Sequence, residues 1–230
     1  MSVAPASFYF DLSSPLAYLA AERILHTLPG PCEWQPVLAR ELDRDGPDVG
    51  LDRETESDRE GRAGAPVEAW RCEQEREAFR EDIALGAREL GLQALRWPEP
   101  FPFDSALAMR VATYAKSIGR TVPFAQAAFR QVFAGGRDLS QLDNVLIAAA
   151  ACEMHPAAVA RGAELRSVAE QLAAATRDAA NLGIIEIPAI LVGEEVFAGE
   201  RAVEQAAVRM RELGPADDPA DADASVGAAP

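Results

Sequence analysis

Apolar residues in this chain recur with two different periods, and the order in which those periods appear is the strongest constraint on its fold. Ser7-Phe8-Tyr9-Phe10-Asp11-Leu12 is a short aromatic run of the kind that forms a buried strand. Ser13-Ser14-Pro15 follows, with serine where a helix cap belongs and proline where the first helical residue does. Leu16, Ala20, Ile24 and Leu28 then recur every four residues, an apolar ridge suited to lie on a sheet. Pro29-Gly30-Pro31 stops that helix, and Glu33 to Leu38, with Trp34 and Val37, reads as a second strand. Strand, helix and strand at this spacing make a βαβ unit.

The pattern then changes. Residues 41–66 are crowded with Asp, Glu, Arg and Gly and read as a mobile charged loop. From Val67 to about Asn181 the period is helical, with candidate helices over 67–90, 105–118, 122–134, 141–152 and 157–181. Turn or cap residues such as Asp104-Ser105, Gly119, Gly135-Gly136 and His155-Pro156 bound several of them. Strand character returns at 188–192, turns at Gly193-Glu194 and continues through Val196-Phe197, before a last helix from Arg201 to about Leu213. The order predicts an α/β, thioredoxin-like fold in two parts, 1–40 and 182–213, with a large all-helical insertion over 67–181. An acidic, disordered tail is expected over 214–230.

Composition narrows the function. Lys and Arg total 22 against 37 Asp and Glu, a formal charge of -15, so no basic footprint is available to displace the counterions of a nucleic acid. The alanine-rich runs are broken by charges, so no membrane span is expected. The three cysteines, Cys32, Cys72 and Cys152, are widely separated and form no CxxC pair, which suits a reducing compartment. The first residues lack the charged-then-apolar pattern of a secretory leader, and a cytoplasmic location is expected.

Three local features carry chemistry. At Ser14-Pro15 a hydroxyl sits at a helix cap, facing unpaired backbone N–H groups and the positive end of the helix dipole; that place favours an anion, thiolates included. It also reads as an ordinary cap worth about 1 kcal/mol. In Gly183-Ile184-Ile185-Glu186-Ile187-Pro188-Ala189 a proline opens a strand, where it cannot donate to the sheet. A cis Ile187–Pro188 bond there would present the Ile187 backbone to an extended, peptide-like ligand, whereas a trans bond would be a plain strand start. In Phe197-Ala198-Gly199-Glu200-Arg201 a glycine precedes two charges that open the last helix, able to hold the ends of an amino acid or to lie exposed. No metal-ligand cluster is recognised.

In order and spacing these motifs resemble the DsbA-like group of thioredoxin-fold proteins, and within it the 2-hydroxychromene-2-carboxylate isomerases and kappa-class glutathione transferases. The resemblance runs over residues 7 to about 213 and includes Phe8 to Asp11, Ser14-Pro15, Trp34, Phe101-Pro102 with Ser105, Ala108 and Arg110, Gly183 to Pro188, and Gly199 to Arg201. It implies glutathione or another low-molecular-weight thiol as cofactor. Ser14 would hold its sulfur as a thiolate, Ile187 before Pro188 would pair with the cysteinyl backbone, and Glu200 and Arg201 would meet the γ-glutamyl end. The thiolate would add to an electron-poor carbon of a small aromatic or otherwise electrophilic substrate, and elimination would release the isomer. A kappa-class-like transferase and a non-catalytic binding protein are the alternatives. A homodimer rests on the resemblance alone.

The sequence departs from that group on the substrate side. The lysine expected after the second strand is absent, and Arg44 in Leu42-Asp43-Arg44-Asp45-Gly46 is the nearest cation for a substrate carboxylate. The tyrosine expected four residues before Asp82 is Ala78, the asparagine expected before Ser105 is Asp104, and Leu16-Ala17 replace an aromatic-serine pair after Ser14-Pro15. Disulfide exchange needs a thiolate at the helix cap, and the turn has no cysteine.

Overall fold

The computed structural model describes residues 2–3, 5–42 and 73–216. Strands β1 (Ser2–Val3) and β2 (Ala6–Phe10) lead into helix α1 (Pro15–Thr27), strand β3 (Cys32–Pro36) and the single turn α2 (Ala39–Leu42). The helical block comprises α3 (Glu73–Glu89), α4 (Ala106–Ser117), α5 (Thr121–Phe133), α6 (Leu142–Ala151), α7 (Pro156–Glu164) and α8 (Arg166–Asn181). Strands β4 (Ala189–Val192) and β5 (Glu195–Ala198), helix α9 (Ala202–Leu213) and strand β6 (Pro215–Ala216) follow.

The sheet has the order β3-β2-β4-β5. A parallel pair needs a crossover, and α1 supplies it between β2 and β3. The β4–β5 pair is antiparallel and needs only a tight turn, where Gly193 takes φ +62°. The α/β, thioredoxin-like arrangement with a helical insertion is therefore the one that forms.

The span 157–181 divides into two helices at Leu165, which is extended (φ −63°, ψ 128°). The alanine-rich pattern is the same on both sides, so the cause is tertiary. Gly162 lies against Tyr114 of α4, and a Cβ there would come within 2.6 Å of the ring. Both α7 and α8 pack on α4; α7 also meets α6, whereas α8 turns to reach α2 and β3. Pro215 and Ala216, at the head of the segment read as a tail, pair antiparallel with Val3 and Ser2. Most of the charged loop, Arg44, Cys72 and the first residues of the 67–90 helix lie outside the described residues, as do residues 217–230.

Sheet and helical block share one buried cluster. Phe8 and Phe10 of β2 meet Trp34 of β3 edge-on, at 4.9 and 5.8 Å between ring centroids, and Phe10 also touches Phe129 of α5. Tyr18 of α1 stacks on Phe133 at 5.4 Å. Truncating one such ring to alanine typically costs about 3–5 kcal/mol. The end of β2, from which the site grows, is thus held by rings from both halves.

Candidate active site at the Ser14 turn

Sheet register explains why distant segments converge. Antiparallel pairing of β2 with β4 sets Tyr9 opposite Ala189. The residues just beyond that rung, Asp11 to Ser14 on one side and Ile187-Pro188 on the other, therefore leave the sheet at the same edge. The Ile187–Pro188 peptide is cis.

Ser14 caps α1 with an extended backbone, and its Oγ accepts from the Ala17 N–H at 3.2 Å. Its own proton is donated to the Ile187 carbonyl at 3.4 Å, the long end of the hydrogen-bond range. Pro15 occupies the first helical turn, where it sacrifices no hydrogen bond. No acidic residue stands in that turn to oppose an anion. The hydroxyl is part-buried rather than sealed.

The turn ahead of Ser14 is tied down much more firmly. Its N–H donates to the Asp11 carbonyl at 3.1 Å. The Asp11 side chain, 1% exposed, accepts from the Ser13 N–H and hydroxyl on Oδ1, both at 2.9 Å, and from the Ala39 N–H and Ser105 hydroxyl on Oδ2. Sequence reasoning quoted Asp11 and Ser105 as motif residues and gave neither a role. An aspartate two residues before a serine does signal a local turn, but nothing in the sequence pairs it with Ala39 or Ser105.

The third motif reaches the same edge. The Gly199 N–H donates to the Pro188 carbonyl at 2.9 Å. Gly199 has φ +81°, and a Cβ would stand 3.3 Å from the Glu186 Oε1, so this turn suits glycine. Arg23 of α1 donates to the Glu200 carbonyl and pairs with Glu204 at 3.1 Å, fixing the start of α9 to α1. Arg201 is the exposed cap of α9, and the Glu200 side chain is exposed beside it. Leu16, Leu19, Arg23, Gly86, Glu89 and Glu200 border a cavity of about 60 Å³ next to this turn. Ser14, Pro15, Ile187 and Pro188 are thus brought together, with Glu200 and Arg201 flanking them. Arg44 lies outside the described residues.

A larger groove of about 570 Å³ runs along α3 and residues 93–97, between Asp82, Leu85, Arg88 and Trp97. It shares no lining residue with the Ser14 turn or the smaller cavity. Phe79, beside the Ala78 that replaces an expected tyrosine, packs its ring 6.4 Å from Trp97.

The two thiols among the described residues, Cys32 and Cys152, are poorly suited to nucleophilic work. Cys32 sits on β3, where burial pushes its thiol up to about 12. Burial likewise raises that of Cys152, at the end of α6. Neither stands at the α1 N-terminus. His26, twelve residues beyond Ser14 on α1, is roughly 18 Å along the helix, and His155 caps α7. No imidazole is thus placed on Ser14 as a general base.

Comparison with known proteins agrees with this fold. The model of the DSBA-like thioredoxin domain matches residues 48–211. No curated protein matches the sequence. Among solved structures, a 2-hydroxychromene-2-carboxylate isomerase superposes with TM-score 0.72 at 15% identity, covering 91% of this chain and 95% of its own. A probable DsbA oxidoreductase from Streptomyces coelicolor gives 0.69 at 15% identity, covering 91% and 89%. The cytosolic disulfide reductase DsbM from Pseudomonas aeruginosa, solved also with GSH, gives 0.57 at 12% identity, covering 91% and 96%. At these identities the likeness is one of fold. Among the described residues no helix is long and apolar enough to cross a membrane.

Proposed function

Because the chain belongs to the DSBA-like thioredoxin domain family, we propose that its cysteine-free turn cradles an external thiol. Glutathione, or another low-molecular-weight thiol, would bind at Ser14, and the protein would act as a thiol-dependent isomerase on small aromatic or otherwise electrophilic compounds. The observation that carries this reading is the division of labour within the Ser14 hydroxyl. Its lone pair serves the Ala17 N–H, while its proton is held by the Ile187 carbonyl only at 3.4 Å. A sulfur anion in front of the turn can take that proton with little loss.

The bound thiol supplies the nucleophile. Ser14 would turn its O–H outward, which frees the Ile187 carbonyl to accept from a peptide N–H of the same ligand. A charge-assisted hydrogen bond is worth about 1.5–3 kcal/mol and a helix N-terminus about 0.3–1 kcal/mol. Together they would lower a thiol pKa by roughly 1.3–3 units, since one unit is about 1.4 kcal/mol. The Glu200 carboxylate and the start of α9 at Arg201 are suited to the ammonium and carboxylate of a γ-glutamyl group. The cavity beside them, about 60 Å³, holds no more than an end group, so the rest of a tripeptide would lie along the open edge. Arg44 is the cation proposed for a substrate carboxylate.

Titration with glutathione, following the ultraviolet absorbance of its thiolate as pH falls, tests this. The absorbance should persist well below the pKa of the free thiol and be lost in Ser14→Ala. If neither glutathione nor other small thiols are stabilised as anions, the reading fails and a non-catalytic binding role takes its place.

A further inference from the structure

We infer that Asp11 is the positioning residue of this site: a buried carboxylate that aims Ser14 by holding the turn before it against the starts of α2 and α4. The inference rests on the thiol-binding reading of Ser14. Each oxygen of Asp11 receives one backbone N–H and one hydroxyl, Ser13 on Oδ1 and Ala39 with Ser105 on Oδ2. Among the described residues no basic side chain forms an ion pair with it, so these four donors are what balance the carboxylate.

The neighbours are arranged to serve it. Ser105 stands at the start of α4 and makes no capping bond of its own. Asp104 accepts from the Ala106 N–H at 3.0 Å instead, which releases the Ser105 hydroxyl to point at Asp11. One turn along α4, Met109 Sδ accepts the Leu12 N–H at 3.3 Å. Residues 11, 12 and 13 are therefore each fixed, and the loosest polar contact in the turn is that of the Ser14 proton. Fixing everything around one hydroxyl is how a donor is kept aimed at a place where charge will sit.

An amide cannot replace this carboxylate. The backbone donors of Ser13 and Ala39 cannot rotate, and in either orientation of an asparagine the NH₂ group faces one of them. Asp11→Asn keeps the shape and breaks one anchor; Ser105→Ala breaks another from the opposite side and leaves Asp11 in place. Two ligands separate aim from architecture: glutathione, whose thiol titrates, and S-methylglutathione, which has the same backbone and no thiol.

In both variants the thiol pKa of bound glutathione should rise by about one unit, a roughly tenfold fall in thiolate below the pKa. S-methylglutathione affinity should stay within about twofold. A thiol pKa unchanged from wild type in both variants overturns the role of Asp11 while the Ser14 reading stands. Parallel loss of both ligands also overturns it, because Asp11 then only maintains the fold. A wild-type protein that fails to lower the thiol pKa at all overturns the Ser14 reading and this inference with it.

Discussion

Ser14 and Ser105 each stand just before a helix, α1 and α4, and both lie within reach of Asp11, yet they are used in opposite ways. Ser14 caps its own helix and keeps its proton in a part-buried place, lent at 3.4 Å to Ile187. Ser105 is 5% exposed, leaves the cap to Asp104 and commits its proton inward to Asp11. What separates them is the residue in front. Before Ser14 stands Ser13, already occupied by Asp11; before Ser105 stands an aspartate able to cap in its place. A serine at a helix start becomes a candidate reactive group when its neighbours leave its proton free, and a strut when they leave its cap free.

The largest expected effect falls on the free one. Ser14→Ala should reduce thiol-dependent turnover by about 10²-fold, the usual loss when one donor to a developing anion is removed. Its cost in stability should be only ~1 kcal/mol, that of a lost cap. Equal losses in turnover and in folded fraction would make Ser14 a cap and nothing more. Ser14→Cys sharpens the same contrast by placing a thiol where a sulfur anion is expected. Its pKa should fall below the ordinary 8.5 toward the range of helix-capping cysteines. Alkylation by iodoacetamide near pH 6.5 should then run about tenfold faster than that of an unperturbed thiol, and an ordinary rate would deny the α1 terminus any anion-stabilising strength. Smaller again is Asp104→Ala at the other helix, expected to cost about 1 kcal/mol in urea denaturation. The thiol pKa should hold; if it moves, Ser105 has been drawn back to cap α4 and the two helix starts are coupled.

Much of this site was legible because it is written in local signals. The change of hydrophobic period placed the two halves of the sheet around a helical block, and Ser13-Ser14-Pro15 announced the start of α1. Ile187-Pro188 was conspicuous because proline does not suit a strand interior. The partners of Asp11 were not legible, since Ala39 and Ser105 lie 28 and 94 residues away and, although Ser105 is conspicuous as a motif residue, nothing in the sequence pairs it with Asp11. Arg23 reaching the Glu200 carbonyl across 177 residues is hidden for the same reason. The break at Leu165 was hidden too, because no proline or turn pair marks it and the two helices part only to meet different neighbours, α6 for α7 and α2 with β3 for α8.

The smallest expected effect tests the complementary half of the comparison, that sulfur chemistry here is borrowed. Cys32 differs from Ser14 in environment: it stands on strand β3 and not at a helix start, and burial raises its thiol to about 12. In the unfolded chain the same thiol ionises near the ordinary value of about 8.5. Between those values the unfolded state releases a proton that the folded state keeps, so stability falls as pH rises through that window. The loss from this one group is roughly 0.4 kcal/mol at about pH 8.5 and steepens toward ~1.4 kcal/mol per pH unit above it. Urea midpoints measured from pH 8 to pH 10 should therefore decline less steeply in Cys32→Ala than in the wild type. An identical slope would mean that Cys32 ionises as readily folded as unfolded, and the contrast with the proposed site at Ser14 would be lost.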